Sequence, residues 1–235
     1  MAHLVGWTSL LAVVLFTSCG QHDITLQYRH VDDYTFSRAE LRTIQTIADD
    51  ATRDARELLP ALPQTLVLEV IPSDKDVIEE VGYTVETGGN TVYWGVRPDR
   101  DEGIAGIAEE YLRPAMFAMF FRIVRTQELG YGMSLPDHIV NSGLETVFAR
   151  DFAATTYPWA AYPPDVADWV RELLASPEGE HGPWMSRHPD GRRWIGIKAG
   201  TYLVDRAIES SGESVLDLVS TPTDVIIRTA QAAQP

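Results

Sequence analysis

Cysteine and basic residues are the scarce components of this 235-residue chain. Its single cysteine, Cys19, excludes an internal disulfide and a metal site built from several thiolates. The 19 basic residues are outnumbered by 34 acidic ones, which gives a net charge of −15. Because a surface of that sign repels phosphate groups, a nucleic-acid partner and a polybasic membrane patch are both disfavoured.

Several catalytic motifs are absent too. The chain has no Gly-x-Ser-x-Gly motif, and no Gly-Lys-Ser/Thr follows the glycine pair Gly88-Gly89, so neither a serine hydrolase nor a phosphate loop is indicated. No two histidines have the His-x-x-x-His spacing of a helical zinc motif. A metal site displaced to His138 or His188 is left as a minor alternative.

The N-terminal apolar run, Leu10–Phe16, is too short to span a bilayer. Two small residues and Cys19 follow it, an arrangement that resembles a bacterial lipoprotein signal. The resemblance implies that residues 1–18 are removed as a signal peptide and that a lipid on Cys19 anchors the protein to a membrane. Residues 19–33, which are polar, would then form a tether, and the protein would be exported to the bacterial cell envelope.

The remaining chain, residues 34–235, predicts a single α+β domain that is mostly helical. Ser37 and Glu40 stand in the positions of a capping box at the start of a helix over 36–59. An apolar, β-branched stretch predicts a strand over 65–71, and a Gly-Gly-Asn turn predicts a hairpin within 81–96. Further helices are predicted over 137–151, 164–175 and 194–210 and within 215–233, with a long loop over 176–193.

The stretch from Asp101 to Arg125 organises the domain. After Pro114 it is apolar on every face except at Arg122 and Arg125, which is typical of a buried helix. We therefore expect a small N-terminal β-sheet packed beside this central helix. Pro114 removes one helical hydrogen bond and predicts a kink just after the preceding charged residues.

Those charged residues carry a resemblance. Glu109-Glu110-Tyr111-Leu112-Arg113 on the central helix and Asn141-Ser142-Gly143-Leu144-Glu145 on the next one occur in the order of an uncharacterised bacterial family of predicted zinc-dependent proteases. That family belongs to the gluzincin branch of the zincin-like metallopeptidases. Its members carry His-Glu-x-x-His on the central helix, and the later segment supplies the third zinc ligand. The resemblance covers roughly residues 28–230.

On this alignment the metal ligands are missing. Glu110 matches the catalytic base, whereas Glu109 and Arg113 replace both histidines and Ser142 replaces the third ligand. A guanidinium repels a metal ion and a neutral hydroxyl binds zinc poorly, so we expect no metal and no catalytic role for the retained Glu110. Arg113 would instead form ion pairs with Glu109, Glu110 or Glu145 in a degenerate metal pocket.

The resulting hypothesis is a lipid-anchored envelope protein with a degenerate, non-catalytic metallopeptidase-like domain that acts as a binding or scaffolding module. A protein or peptide would bind the remaining cleft, which the resemblance assigns to Glu109, Glu110, Arg113, Ser142, Glu145 and Tyr202. No cofactor is expected. One alternative is an active zinc-dependent peptidase that uses non-standard ligands, and another is a structural lipoprotein without a functional cleft. A glycosidase is disfavoured because Arg113 would keep the neighbouring carboxylates ionised.

Overall fold

The computed structural model describes residues 23–31, 33–75, 77–130, 132–155, 157–175 and 181–232. The predicted signal peptide, residues 1–18, and Cys19 lie outside the described residues. Within the described ranges, no helix combines the length and the apolar character that crossing a membrane requires.

A four-stranded sheet forms the N-terminal part of the fold. Its strands are β1 (Thr25–Tyr28), β2 (Val67–Pro72), β3 (Tyr83–Gly88) and β4 (Thr91–Val96), in the spatial order β1-β2-β4-β3. Strands β1, β2 and β4 are parallel, and β3 runs antiparallel to β4 at one edge. The predicted hairpin is confirmed, and Gly89 in its turn has a positive φ of 59°.

Strand β1 corrects the predicted tether. Thr25 pairs with Val67 and Tyr28 pairs with Val70, so this segment is part of the sheet. The preceding Ile24 is buried in the core. Ile24, Leu26 and Tyr28 alternate with Thr25 and Gln27, which is a strand pattern, but this pattern is short and stands in an otherwise polar segment.

Helix α1 (Arg38–Leu58) begins as predicted. The hydroxyl of Ser37 accepts a hydrogen bond from the backbone of Glu40, whose carboxylate accepts one from the backbone of Ser37. This capping box satisfies two N–H groups that the first helical turn leaves free. The helix buries one face against the core: Ile44, Ala48, Ala51, Thr52 and Ala55.

The central helical segment has three parts. Helix α2 (Gly103–Ile107) continues through a π-helical turn (Ala108–Leu112) into α3 (Arg113–Leu129). The expected deformation beside Pro114 is therefore a widened turn that precedes the proline. Helix α3 is buried on every side, as predicted: Pro114, Ala115, Met116, Phe117, Ala118, Met119, Phe120, Phe121, Ile123, Val124 and Arg125.

The C-terminal half is helical. It contains α4 (Leu135–Ala153), α5 (Val166–Ala175), α6 (His181–Met185), α7 (Ile195–Ser211), a 3-10 turn (Asp217–Ser220) and α8 (Thr223–Ala232). The short helix α6 corrects the predicted loop over 176–193. The protein is thus a mostly helical α+β fold with a small N-terminal sheet beside a buried helix.

Helices α4 and α7 cross at two glycines. A Cβ atom on Gly200 would overlap the backbone carbonyl of Ile139, and one on Gly143 would overlap the backbone of Gly200. Each glycine is therefore required by the close approach of the other helix. This crossing fixes α4 against the core and so orients the residues that α4 presents to α3.

Candidate functional site

The predicted charged pentad does not form the expected ion pairs. Glu109 and Glu110 are exposed on the π-helical turn. Nη1 of Arg113 donates to Asp54 of α1 at 2.9 Å, and its guanidinium lies 4.7 Å from the ring centre of Phe117. Arg113 therefore pairs across to α1, and the predicted pairing with Glu109, Glu110 or Glu145 is wrong.

The π-helical turn explains this difference. An ion pair at positions i and i+4 requires the α-helical repeat, which places the two side chains one above the other. The wider turn over Ala108–Leu112 changes the angle about the helix axis between the side chains of Glu109 and Arg113. Glu110 instead contacts its neighbour Tyr111, whose pKa is raised to about 12 by burial and, secondarily, by its hydrogen bond to Glu110.

The second predicted segment lies elsewhere, against α3. Glu145 on α4 is only 5% exposed and accepts two hydrogen bonds from Arg122, at 2.7 Å from Nε and 2.6 Å from Nη2. Such a parallel pair of charge-assisted bonds is the strongest form of an arginine–carboxylate contact. Glu145 thus binds an arginine as expected, but the arginine is Arg122. Ser142 is partly buried on the same helix.

A second arginine of α3, Arg125, is 5% exposed and joins three elements. Its Nε donates to Oδ1 of Asn141 at 2.7 Å. Its Nη1 donates to three backbone carbonyls in and just after the 3-10 turn, at distances of 2.8 to 3.2 Å: Leu218, Val219 and Thr221. Burial lowers the pKa of this guanidinium, which shows how far it is withdrawn from water.

Sequence reasoning gave these two arginines no role. The signal was present, because Arg122 and Arg125 are the only polar residues in the apolar stretch after Pro114. A charge set into a buried helix needs partners, and both arginines find theirs on α4.

Tyr202 is separated from the other predicted site residues. It lies on α7, with its ring edge-on to Tyr162 at 5.4 Å between centroids. It lines a small cavity together with residues of α5 and α8. The six predicted residues therefore lie in three separate places. Glu109, Glu110 and Arg113 lie near α1, Ser142 and Glu145 lie on α4, and Tyr202 lies on α7. They do not form the single cleft that the sequence predicted.

Within the part of the chain that the structure describes, no three His, Cys, Asp or Glu residues are grouped closely enough to hold a metal ion. His138 and His181 do approach each other, with ring centroids 5.0 Å apart. Burial lowers the pKa of His138, and the charges of His181 and Arg122 lower it further. His188 instead lies against Trp184, at 4.4 Å between rings. The absence of a metal cofactor stays a prediction.

The structure reveals a different cleft, between the open edge of the sheet and α3. It has a volume of about 540 Å³ and is lined by residues of the β3 end and of one face of α3: Glu86, Thr87, Gly89, Arg122, Ile123, Thr126 and Gln127. Arg122 thus contributes to the cleft while it binds Glu145. We call this space the β3–α3 cleft.

The edge of β3 bordering this cleft presents backbone hydrogen-bonding groups. The carbonyl of Tyr83 accepts a bond from the backbone of Ile78 on the side away from β4. Because strand residues alternate in the direction of their backbone groups, Val85 and Thr87 present their N–H and C=O on that same outer side. An unpaired strand edge of this kind accepts a further strand.

No protein-family model, curated protein or solved structure matches this chain. The resemblance to zincin-like proteases therefore stays a prediction, and the site has to be interpreted from its own geometry.

Proposed function

We propose that this protein is a lipid-anchored component of the bacterial cell envelope whose domain binds extended peptides without cleaving them. The observation that carries the proposal is the open edge of β3 beside the β3–α3 cleft. A peptide added as a fifth strand would pair with the backbone of Val85 and Thr87, while alternate side chains enter the cleft. The lipid anchor is supported by the lipoprotein-like sequence around Cys19.

The contacts on α3 and α4 support a non-catalytic role. Hydrolysis of a peptide bond by a zincin requires an open metal position and a carboxylate that activates water. Here the carboxylate that faces α3, Glu145, already accepts two hydrogen bonds from Arg122, and Arg125 donates to Asn141. The retained Glu110 is exposed on the π-helical turn and separated from these groups. The proposed domain thus offers a binding surface for a peptide but no free group that would polarise the carbonyl of the peptide bond.

Peptide binding is tested by selecting ligands from a random peptide library and measuring their affinity by fluorescence polarisation. The decisive variant is Thr87→Pro, which removes one outward N–H from an edge position where proline is tolerated. The control Thr87→Val keeps the N–H and the β-branched shape. We expect Thr87→Pro to weaken binding about tenfold, because one hydrogen bond and the approach of the added strand are lost. Equal affinity of both variants would remove strand addition as the mode of binding.

Catalysis is tested separately on protein purified without chelators. The proposal expects less than about one zinc per ten chains by mass spectrometry and no cleavage of the selected peptides. Stoichiometric zinc together with chelator-sensitive cleavage would overturn the non-catalytic assignment and favour the alternative of an active zinc-dependent peptidase. If no peptide is selected and no zinc is bound, the remaining alternative is a structural lipoprotein.

A further inference from the structure

A larger cavity, of about 660 Å³, lies at the C-terminal end of α3, where α4 and α8 begin. We call it the Arg125 cavity because this buried arginine lines it. Its other lining residues come from three segments: Leu129, Gly130, Gly132, Ser134, Pro136, Asp137, Asn141, Pro222, Thr223, Asp224, Ile227 and Arg228. It shares no residue with the β3–α3 cleft, and its volume is in the range of small-molecule sites.

The direct partners of Arg125 carry no charge. All its hydrogen-bond acceptors are neutral, namely the amide of Asn141 and the three backbone carbonyls. Within the described residues no carboxylate lies within ion-pairing distance of it, although Asp137 and Glu145 act on it from farther away. A buried cation with only neutral partners favours an anion at the nearest accessible position.

One nitrogen of Arg125 is left for such an anion. Its hydrogen bonds use Nε and Nη1, and Nη2 makes none to the described residues. Nη2 is also not among the fully enclosed nitrogens that lack a partner, so it keeps access to solvent. Arg125 is one of the residues that line the cavity.

The two carboxylates that line the cavity already have donors of their own. Asp137 accepts hydrogen bonds from the backbone and hydroxyl of Ser134 and from Thr223, and these contacts lower its pKa. Asp224 is paired with Arg228 one turn away on α8. Their oxygens are thus already engaged by donors, whereas Nη2 of Arg125 makes no hydrogen bond to the described residues.

The cavity also has an apolar rim. Leu129 and Met133 are 42% and 68% exposed, and they are two of the three large hydrophobic residues that the described chain exposes. Leu129 lines the cavity, Met133 lies in the loop that passes it, and Ile227 supplies an apolar wall from α8. Exposed apolar side chains gathered at the mouth of a cavity favour a ligand with an apolar part.

We infer that the Arg125 cavity binds a small carboxylic acid whose carboxylate meets the guanidinium of Arg125 and whose short apolar group lies against Leu129 and Ile227. This site goes beyond the proposed peptide binding and does not depend on it.

The first experiment is isothermal titration of the purified full-length protein with N-acetyl-leucine and with its neutral amide, N-acetyl-leucinamide. We expect saturable binding of the acid with a Kd between about 10 µM and 1 mM, and at least tenfold weaker binding of the amide. A glycine-rich pentapeptide ending in leucine forms a third arm. Tighter binding of that peptide would assign the carboxylate to a chain terminus and would contradict the small-acid ligand. Absence of acid binding, or equal binding of acid and amide, would also overturn the inference.

The second experiment uses a matched pair of variants at Ile227, which is partly exposed on α8. Ile227→Glu places a negative charge at the cavity wall, and Ile227→Gln has the same size without the charge. Both variants lose the apolar contact with Ile227, so we expect both to bind more weakly than the unmodified protein, and the glutamate variant to bind the acid at least tenfold more weakly than the glutamine variant because only glutamate adds a negative charge. Equal affinities would contradict recognition by charge. Arg125→Gln removes the guanidinium itself, but it also removes bonds that hold the fold, so the Ile227 pair decides.

Discussion

Arg122 and Glu145 join α3 to α4 through two parallel hydrogen bonds of 2.7 and 2.6 Å, in a place where Glu145 is 5% exposed. We expect Glu145→Gln to lower the free energy of unfolding by about 2–3 kcal/mol, because the buried, charge-assisted contact with Arg122 would lose the negative charge of Glu145. Urea unfolding followed by circular dichroism measures this change. The control is Glu209→Gln, which breaks an exposed pair with Arg206 and should cost about 0.5 kcal/mol or less. An equal loss of unfolding free energy in both variants would mean that the buried pair stabilises the fold no more than the exposed pair does.

The contact of Arg113 with Asp54 should matter much less. Both side chains keep more than a third of their exposure, so solvent screens the pair. We expect Asp54→Asn to cost about 0.5 kcal/mol or less, and Arg113→Ala about 1 kcal/mol because its contact with Phe117 is lost as well. The same urea experiment applies. A loss above about 3 kcal/mol in Arg113→Ala would instead indicate a buried ion pair.

His138 gives the stability a dependence on pH. Its folded pKa is lowered, mainly by burial and further by the charges of His181 and Arg122, while Asp137 and Glu145 act in the opposite direction. The unfolded chain therefore takes up the proton first as the pH falls below about 6.5, and the folded state loses stability from there downward. We expect His138→Gln to flatten the decline in unfolding free energy between pH 7 and pH 5. The exposed His30 is the control, and its replacement should leave the wild-type curve unchanged.

The glycine crossing of α4 and α7 predicts a large cost for one methyl group. A Cβ in Gly200→Ala would overlap the carbonyl oxygen of Ile139, so the two helices would have to separate. We expect a loss of at least about 3 kcal/mol, or failure to fold, by thermal denaturation. The control is Gly182→Ala, since a Cβ there meets no atom within 4 Å. If both variants melt together, the helices are not in close contact.

The proposed lipid anchor depends on Cys19. Expression in a bacterial host with labelled palmitate should label the wild-type protein and place it in the membrane fraction. Cys19→Ser should lose the label and release the protein from the membranes. Label that persists in the variant would contradict an anchor at this residue.

The sequence predicted the elements that depend on local patterns. The capping box of Ser37 and Glu40, the turn at Gly89 and the helix that is apolar on all sides are each determined by residues close together in the chain. Strand β1 was missed because its alternation of Ile24, Leu26 and Tyr28 with polar residues is short, and its pairing with β2 is a tertiary contact.

The candidate site could be predicted only in part, because its contacts are tertiary. Pairing of Glu109 with Arg113 depended on the side-chain angles of a regular α-helix, and the π-helical turn changes those angles. A search for 3.6-residue periodicity in the sequence does not reveal such a turn. The sequence shows that Arg122 and Arg125 are charges in an apolar helix. It does not show that one meets Glu145 and the other meets Asn141, since that depends on how α4 crosses α3.

The position of β1 would limit how far the sheet stands from a lipid on Cys19. Thr25 already belongs to the sheet, so the six residue steps from Cys19 reach at most about 21 Å when fully extended. A lipid on Cys19 would therefore hold the β1 edge of the sheet close to the bilayer surface. The open strand β3 lies at the opposite edge, roughly 14 Å across the sheet. A peptide that adds to β3 would thus bind at the edge of the sheet that carries no tether.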